Sequence, residues 1–410
     1  MLDHSQQPTI DESSLRYEGW RIVVVCFLLA TFGWGLGFYG QSVYVAELQR
    51  ARGWPASLIS SGTTFFYLFG ALLVVFVGEA VRKYGPRICL ISGTLAMASA
   101  AVAIGAVREP WQLYLVDAVL AFGWAGTSLA MITNTISLWF DHKRGMAISL
   151  ALNGASFGGI VGVPLLVMMI SHIGFGSAMV ATAGAMLVLL LPVILLVVGK
   201  PPDLHGWKAA KAKPQSSTEI RAWALRDVGF LTVTTAFALV LFAQVGFIVH
   251  LISFLDPVIG RERAAVAVAV LTAMAVIGRV LFSMVIDRLN QRLAAALSFL
   301  SQAAALCVVI NLHNDYVLIA ACAVFGFSVG NLITLPSLIV QQEFDSASFG
   351  VLISLNTAIN QVTYAFGPGV VGALRDWSGG YSLPFYLCIA LEVAAAALIM
   401  VRGAPRAKLS

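Results

Sequence analysis

The stretch AVAVLTAMAVIGRVLFSMVIDR, residues 267–288, holds a single charge, Arg279, until Asp287 and Arg288 close it. As an α-helix rising about 1.5 Å per residue, it is long enough to cross the roughly 30 Å hydrocarbon core of a bilayer. Its surroundings decide that this is what it does. The chain has 410 residues, 59% of them hydrophobic and only 11% charged, with a mean hydropathy of +0.87. Soluble domains carry about a quarter charged residues, so this composition cannot cover a water-facing surface.

Apolar runs of similar length recur near residues 20–46, 57–79, 87–107, 111–138, 145–170 and 174–198. A second set lies near 228–254, 263–286, 293–312, 315–340, 348–374 and 380–401. The expectation is an all-α polytopic membrane protein with twelve transmembrane helices in two pseudo-symmetric six-helix bundles. It divides into a tail (1–19), a first bundle (20–198), a polar linker (199–227), a second bundle (228–401) and a second tail (402–410). The end of the linker, STEIRAWALRD, reads as a short interfacial helix capped by Ser217 or Thr218.

Basic residues set the orientation. If the N-terminus is cytoplasmic, only Arg50, Arg52, Arg108, Arg261, Arg263 and Arg375 of the 25 Lys and Arg lie outside, with Arg279 in the membrane. Both termini are therefore expected in the cytoplasm of a cell (plasma) membrane. The net charge of +5 follows from this asymmetry and points to no nucleic-acid partner. Trp20, Trp54, Trp111, Trp139 and Trp377 stand at run ends, where interfacial anchors are expected. Cys26, Cys89, Cys307, Cys322 and Cys388 fall in apolar runs and read as small buried hydrophobes, with neither disulfide nor metal. The polar first nineteen residues are unlike a signal peptide, and the lack of an Asn-x-Ser/Thr sequon fits a bacterial source.

The halves repeat each other. WFDHKRGMAISL after the fourth run aligns with EFDSASFGVLISL after the tenth, an offset of about 204. At nearly the same offset Phe122–Trp124 matches Phe325–Phe327, Pro164 matches Pro368, and VRKYGPR matches IDRLNQR. Six helices repeated in parallel orientation are the plan of a transporter whose halves rock about a central site.

With these features the chain resembles the major facilitator superfamily, above all in the loop Gly78, Arg82, Lys83, Gly85, Arg87 between spans two and three. Arg82 stands where that family usually has an aspartate. EGW before span one, WFDHKRGMA, IVHLISF, IGR and YAFGPGVVGALRD resemble its monocarboxylate-porter and oxalate/formate-antiporter branches. The resemblance implies the twelve-helix fold, alternating access and a substrate role for the span-eight arginine, here Arg279. It also implies conformational roles for the loop residues, together with Asp287 and Arg288 of the matching loop.

Arg279 earns the same reading by itself. An arginine at a helix centre costs about 2.5–3.5 kcal/mol on insertion scales, so it faces an interior or a wet cavity. A guanidinium never deprotonates and matches both oxygens of a carboxylate. Asn356, Asn360 and Tyr364 share one face of span eleven beside Gln361, while Gln41, Tyr44, Tyr67 and Asn134 complete a candidate substrate site from the first half. Tyr39 and Thr64 belong to the same group of first-half polar residues. Asp117, His250 and Glu392 are candidate proton-coupling groups. Pro164 and Pro368, each beside glycines, mark bends in spans five and eleven.

The familiar coupling route of the animal monocarboxylate carriers has no match, since Ala275 precedes Arg279 by four and GFYGQSVY is uncharged. The oxalate branch's span-eleven lysine is also missing, which favours one negative charge on the substrate. The expected function is therefore a secondary active transporter moving a small organic anion, a monocarboxylate, with a proton. The alternative is a facilitator-type exporter or importer of a larger amphipathic compound, a drug or siderophore. No phosphate-binding loop, His-Glu-x-x-His motif or intramembrane aspartate pair supports an enzyme, and no cofactor is expected. The expected partners are the anion, the coupling proton and the lipid bilayer, around a monomer.

Overall fold

The computed structural model describes residues 12, 14, 17–199, 217–285, 289–332, 334–344 and 348–401. Among them the architecture is wholly helical, and eleven helices are long and apolar enough to cross a membrane. The remaining span, span eleven, is divided into Phe349–Ala365 and Gly367–Ser378. The division falls at Pro368, which has no N–H to continue the helical ladder.

Local chemistry sets the ends. Asp227 accepts from the Phe230 amide at 2.9 Å to start span seven, and Asn290 accepts from the amides of Arg292 and Leu293 to start span nine. Glu109 and Gln112 form a capping box ahead of span four, with Pro110 at its first turn. Gly85 takes φ +80° before Pro86, a conformation in which a side chain would be strained. The sequence places span ends too early. Span one runs Gly19–Arg52 and span seven Val228–Ile259, so His250 lies well inside its helix rather than near the end.

Spans three, six, nine and twelve pack chiefly within their own half, and spans one, two, five, seven, eight and eleven build the interface between halves. The two halves share one device. The Arg87 guanidinium donates to the Leu195 carbonyl near the end of span six, at 2.7 Å. Arg292 donates to the Ile399 and Val401 carbonyls at the end of span twelve, each at 2.8 Å. These bonds place the starts of spans three and nine and the ends of spans six and twelve on one face, the terminal face; the opposite face is the distal face.

Two π-turns, Gly35–Tyr39 in span one and Gly158–Gly162 in span five, meet where a methyl on Gly35 would lie 3.6 Å from Gly158. Pro164 follows the second turn directly and accounts for the local loosening of the ladder. The helix Ser217–Ala224 forms as expected and leans its Trp223 ring on Phe344, 6.1 Å between centroids. The capping side chains Ser217 and Thr218 lie outside what the structure describes, as do Asp287 and Arg288.

Two sequence expectations change. Trp139 is 3% exposed and is no membrane anchor; its carbonyl accepts from the Tyr17 hydroxyl. The cause is the N-terminal tail, which folds over the span four–five loop. There the Glu12 carboxylate accepts from the Asp141 and Lys143 amides, both at 2.7 Å. Cys307 is exposed and Cys89 half-buried, because both look outward from the bundle, whereas Cys26, Cys322 and Cys388 are buried.

Candidate functional site

Span eight, Arg261–Ser283, is held against span ten without intervening side chains. A methyl on Gly278 would strike the Phe327 carbonyl, one on Gly326 the Leu271 carbonyl, and one on Gly330 the Ala275 carbonyl. Small residues allow this backbone approach between membrane helices. The span-eight helix ends one turn beyond Arg279, whereas span ten continues past Gly330 to Leu332 and again over Leu335–Glu343. Arg279 is therefore deep in the molecule although close to its own helix end. The carbonyls of that end favour a cation by about 0.3–1 kcal/mol, well short of the cost of placing it there.

Arg279 is half-buried, its Nε is enclosed without a partner, and among the described residues it makes no hydrogen bond or ion pair. Two helical turns along the same face of span eight, Thr272 and Tyr39 converge on Gly159, where an added methyl would lie 2.7 Å from Thr272 Oγ1 and 2.9 Å from Tyr39 Cε2. Tyr67 of span two meets Tyr364 of span eleven edge-on at 5.6 Å, with Phe38 and Phe66 against its other sides. The Tyr67 hydroxyl is buried without a partner. Span eight thus carries an unpartnered cation two turns from the point where Thr272 meets Tyr39, while Tyr67 and Tyr364 meet elsewhere along the interface.

The other candidates separate. Asn356 and Asn360 are buried with each Oδ1 unpartnered, and Gln361 is half-buried. Asn134 donates to the Ala130 carbonyl of its own helix and lies near Gly78, at the terminal-face end. Gln41 and Tyr44 are buried in the first half, the Tyr44 hydroxyl lying 3.0 Å from where a methyl on Gly40 of its own helix would sit. Thr63 donates to Gln41 Oε1 at 3.0 Å, and Asp117 Oδ2 would lie 2.5 Å from a methyl on the adjacent Gly62. His250 has both ring nitrogens engaged, by the Pro368 carbonyl at 3.0 Å and the Tyr381 hydroxyl at 3.1 Å. A carbonyl only accepts, so Nε2 carries a proton. Glu392 is fully buried in span twelve with neither oxygen bonded.

The distal side of the interface is sealed. Arg50 pairs with Glu47 at 3.2 Å and with Asp256 of span seven, while Arg261 reaches Glu47 at 3.2 Å. Asp376 of span eleven accepts from the amides of Ala56 and Ser57 at 3.2 and 2.7 Å, and the Gly369 amide donates to Thr64. At the terminal face, Val77–Tyr84 and Leu335–Glu343 pack chiefly within their own halves. Among the described residues the contacts that join the halves therefore gather on the distal side, and Arg279 stands on the terminal-face side of them. Sequence reading missed this seal because Glu47, Asp256 and Asp376 look like ordinary span-end charges; only Glu47, inside a long helix, gave a signal.

The sequence model of the Major Facilitator Superfamily matches residues 24–264 and again 259–410. The chain belongs to this superfamily. It is 29% identical over 388 residues to the MFS-type transporter pynF of Aspergillus niger, covering 92% of this chain and 86% of that one. It is 23% identical over 387 residues to the aspyridones efflux protein apdF of Emericella nidulans, covering 92% and 74%. Among solved structures it is similar to a bacterial homologue of the human lysosomal transporter Spinster, with a TM-score of 0.72 and 14% identity over 94% of this chain and 97% of that one. Such named relatives are mostly fungal, so the missing sequon is no guide to a bacterial source.

In this superfamily transporter the loop after span two contributes unevenly. Arg87 closes the end of span six and Gly85 starts span three, whereas Arg82 and Lys83 are exposed, Lys83 lying over the Tyr84 ring at 5.1 Å. Pro368 breaks span eleven and offers its carbonyl to His250; Pro164 stands beside the π-turn that meets span one.

Proposed function

We propose that the chain moves an amphipathic organic compound bearing one acidic group, by alternating access between the two halves. The observation that carries this reading is Arg279, half-buried without a partner on span eight, whose Thr272 meets Tyr39 of the other half, with Tyr67 and Tyr364 also bridging the halves. A guanidinium supplies the charge-assisted contact and the aromatic faces supply apolar area for the body of the compound. The printed names of two relatives, efflux proteins for aspyridones and for agnestins, support a larger substrate. With the termini cytoplasmic, as the basic residues indicate, the Arg279 side of the distal contacts faces inward and loads an exported compound from the cytoplasm of the cell membrane.

A small monocarboxylate is the second reading, favoured by the same lone cation and by the resemblance to the monocarboxylate and oxalate/formate branches. The experiment is a thermal-shift titration of purified protein with an arylalkyl carboxylic acid and with lactate, repeated on Arg279→Gln. Stabilisation by the arylalkyl acid alone, lost in the variant, is expected. Stabilisation by lactate would transfer support to the second reading, and indifference of the variant would remove Arg279 from the site.

A further inference from the structure

Span eleven is interrupted just before the segment that joins the halves. Pro368 has no N–H for the Tyr364 carbonyl, so the backbone ladder does not fix the outer segment Gly367–Ser378 to the inner one. Yet the outer segment carries contacts with the other half. Its Asp376 accepts from the Ala56 and Ser57 amides and so caps the start of span two, where Pro55 supplies no side-chain cap. Its Gly369 and Gly372 lie against Thr64 and Ser60 of the same span, where added methyls would strike the two hydroxyls. A helix loosened at its base needs an external support to hold these positions.

The support comes from the second half itself and converges on His250. Phe242, Gly246 and His250 stand four residues apart on one face of span seven. A methyl on Gly367 would strike the Phe242 carbonyl, and one on Gly246 would lie 3.1 Å from the Gly367 carbonyl oxygen. One turn farther along, the fully buried His250 donates from Nε2 to the Pro368 carbonyl at 3.0 Å. Its Nδ1 accepts from the hydroxyl of Tyr381, at the start of span twelve, at 3.1 Å. The Arg375 guanidinium lies over the Tyr381 ring, 5.8 Å from its centroid, and donates to Asp376 at 2.8 Å. Phe385 stacks on the same ring at 5.3 Å, and Phe254 meets it edge-on at 5.8 Å. The contacts thus run from the base of the outer segment, through one imidazole and one phenol, back to its tip.

We propose that His250 is a positioning residue for distal closure: with Tyr381 it braces the outer segment of span eleven at base and tip, so that Asp376 meets the start of span two. Every member of the brace belongs to the second half. His250 is fully buried, whereas Asp376 and Ser57 are half-buried. Hydrogen bonds in a dry interior are costlier to break than bonds that water can replace. When the distal side parts, the cap on span two therefore breaks and the brace stays, and the outer segment leaves with its own half. The duplicated plan does not account for the brace. At the repeat offset of about 204, Pro368 matches Pro164, but Ala46 stands for His250 and Ser177 for Tyr381. The proline is repeated, and the two side chains that brace it are not.

The test reads the seal without substrate, as the rate at which a membrane-impermeant maleimide labels Ser60→Cys in lipid nanodiscs, with the five native cysteines replaced by alanine. His250→Leu removes both bonds and is expected to speed labelling about 10-fold, the worth of a lost hydrogen bond. His250→Gln, whose amide offers one donor and one acceptor, is expected to restore most of the protection. Tyr381→Phe keeps the ring beneath Arg375 and should fall between the two. In Asp376→Ala the brace has lost its target, so adding His250→Leu should change the rate less than it does alone. A wild-type rate in His250→Leu overturns the proposal, as do effects of His250→Leu and Asp376→Ala that simply multiply. Equal speeding by His250→Leu and His250→Gln also overturns it, because the bonds would then be irrelevant. A parallel rise in labelling of Cys26, buried in span one and kept as the sole cysteine, would mark general loosening and overturn it as well. If His250→Leu does not fold, an unchanged rate in Tyr381→Phe overturns it equally. No substrate enters the assay, so this proposal and the one for Arg279 can fail separately.

Discussion

Three charged side chains show how a residue's partners, rather than its type, fix its role. Arg292 is 2% exposed and spends its donors on Glu343 at 2.6 and 2.7 Å, on Thr232, and on the carbonyls of Gly229, Ile399 and Val401. Replacing it with alanine strands the Glu343 carboxylate and several acceptors, so Arg292→Ala is expected to lose about 3–5 kcal/mol, read as a collapse of the melting temperature in detergent. Arg279 has no such partners, so Arg279→Gln is expected to keep the wild-type melting temperature. It should weaken acid binding about 10- to 100-fold, the worth of a charge-assisted hydrogen bond. Glu12 is the third case. Burial alone would raise its pKa, but the backbone donors of Asp141, Lys143 and His142, with the His142 charge, outweigh burial and hold it below the usual value of 4.5. A lowered folded pKa contributes stability that is present above the unfolded value and lost as pH falls through the folded one. Acid should therefore release the tail, with protease cleavage before Tyr17 rising below about pH 4.3, the unfolded glutamate value, and in Glu12→Gln at every pH.

At the scale of elements, glycines decide which helices can touch. Gly154 and Gly158 of span five sit against the Phe27 and Thr31 carbonyls of span one, while Gly162, one turn on, has open space around it. Gly154→Ala is expected to cost about 1–3 kcal/mol as an overpacked contact, and Gly162→Ala to be tolerated, measured as the difference in melting temperature between the two. Their spacing of four residues puts all three glycines on one helix face. Spacing gives the face, but the width of the gap opposite each position belongs to the neighbouring helix. For the same reason Asn356, Asn360 and Tyr364 read as one substrate-facing row, although two of them are buried and only Tyr364 reaches the other half through Tyr67.

For the whole molecule the balance between distal closure and opening rests on a few polar contacts. Ion pairs with exposed members contribute about 0.2–1 kcal/mol each, and salt weakens them. Asp256→Asn combined with Asp376→Asn is therefore expected to open the distal side detectably without unfolding the protein. The check is faster labelling of Ser60→Cys, buried against Gly372 in the closed seal, by a membrane-impermeant maleimide. High salt should act in the same direction on the wild type.

The sequence alone determined the solvent, the number of crossings and the duplicated plan. A chain with 11% charged residues in long apolar runs can satisfy its backbone in lipid only as helices, and a repeat near 204 residues is visible in letters. It also picked out Arg279, because an unexplained charge in such a run is costly wherever the helix turns. Which ends of the two halves are joined, which buried polar groups go unpaired, and which side chains meet across the interface were decided by the packing. Those properties depend on distances between side chains of different helices, and periodicity along one helix carries no information about its neighbours.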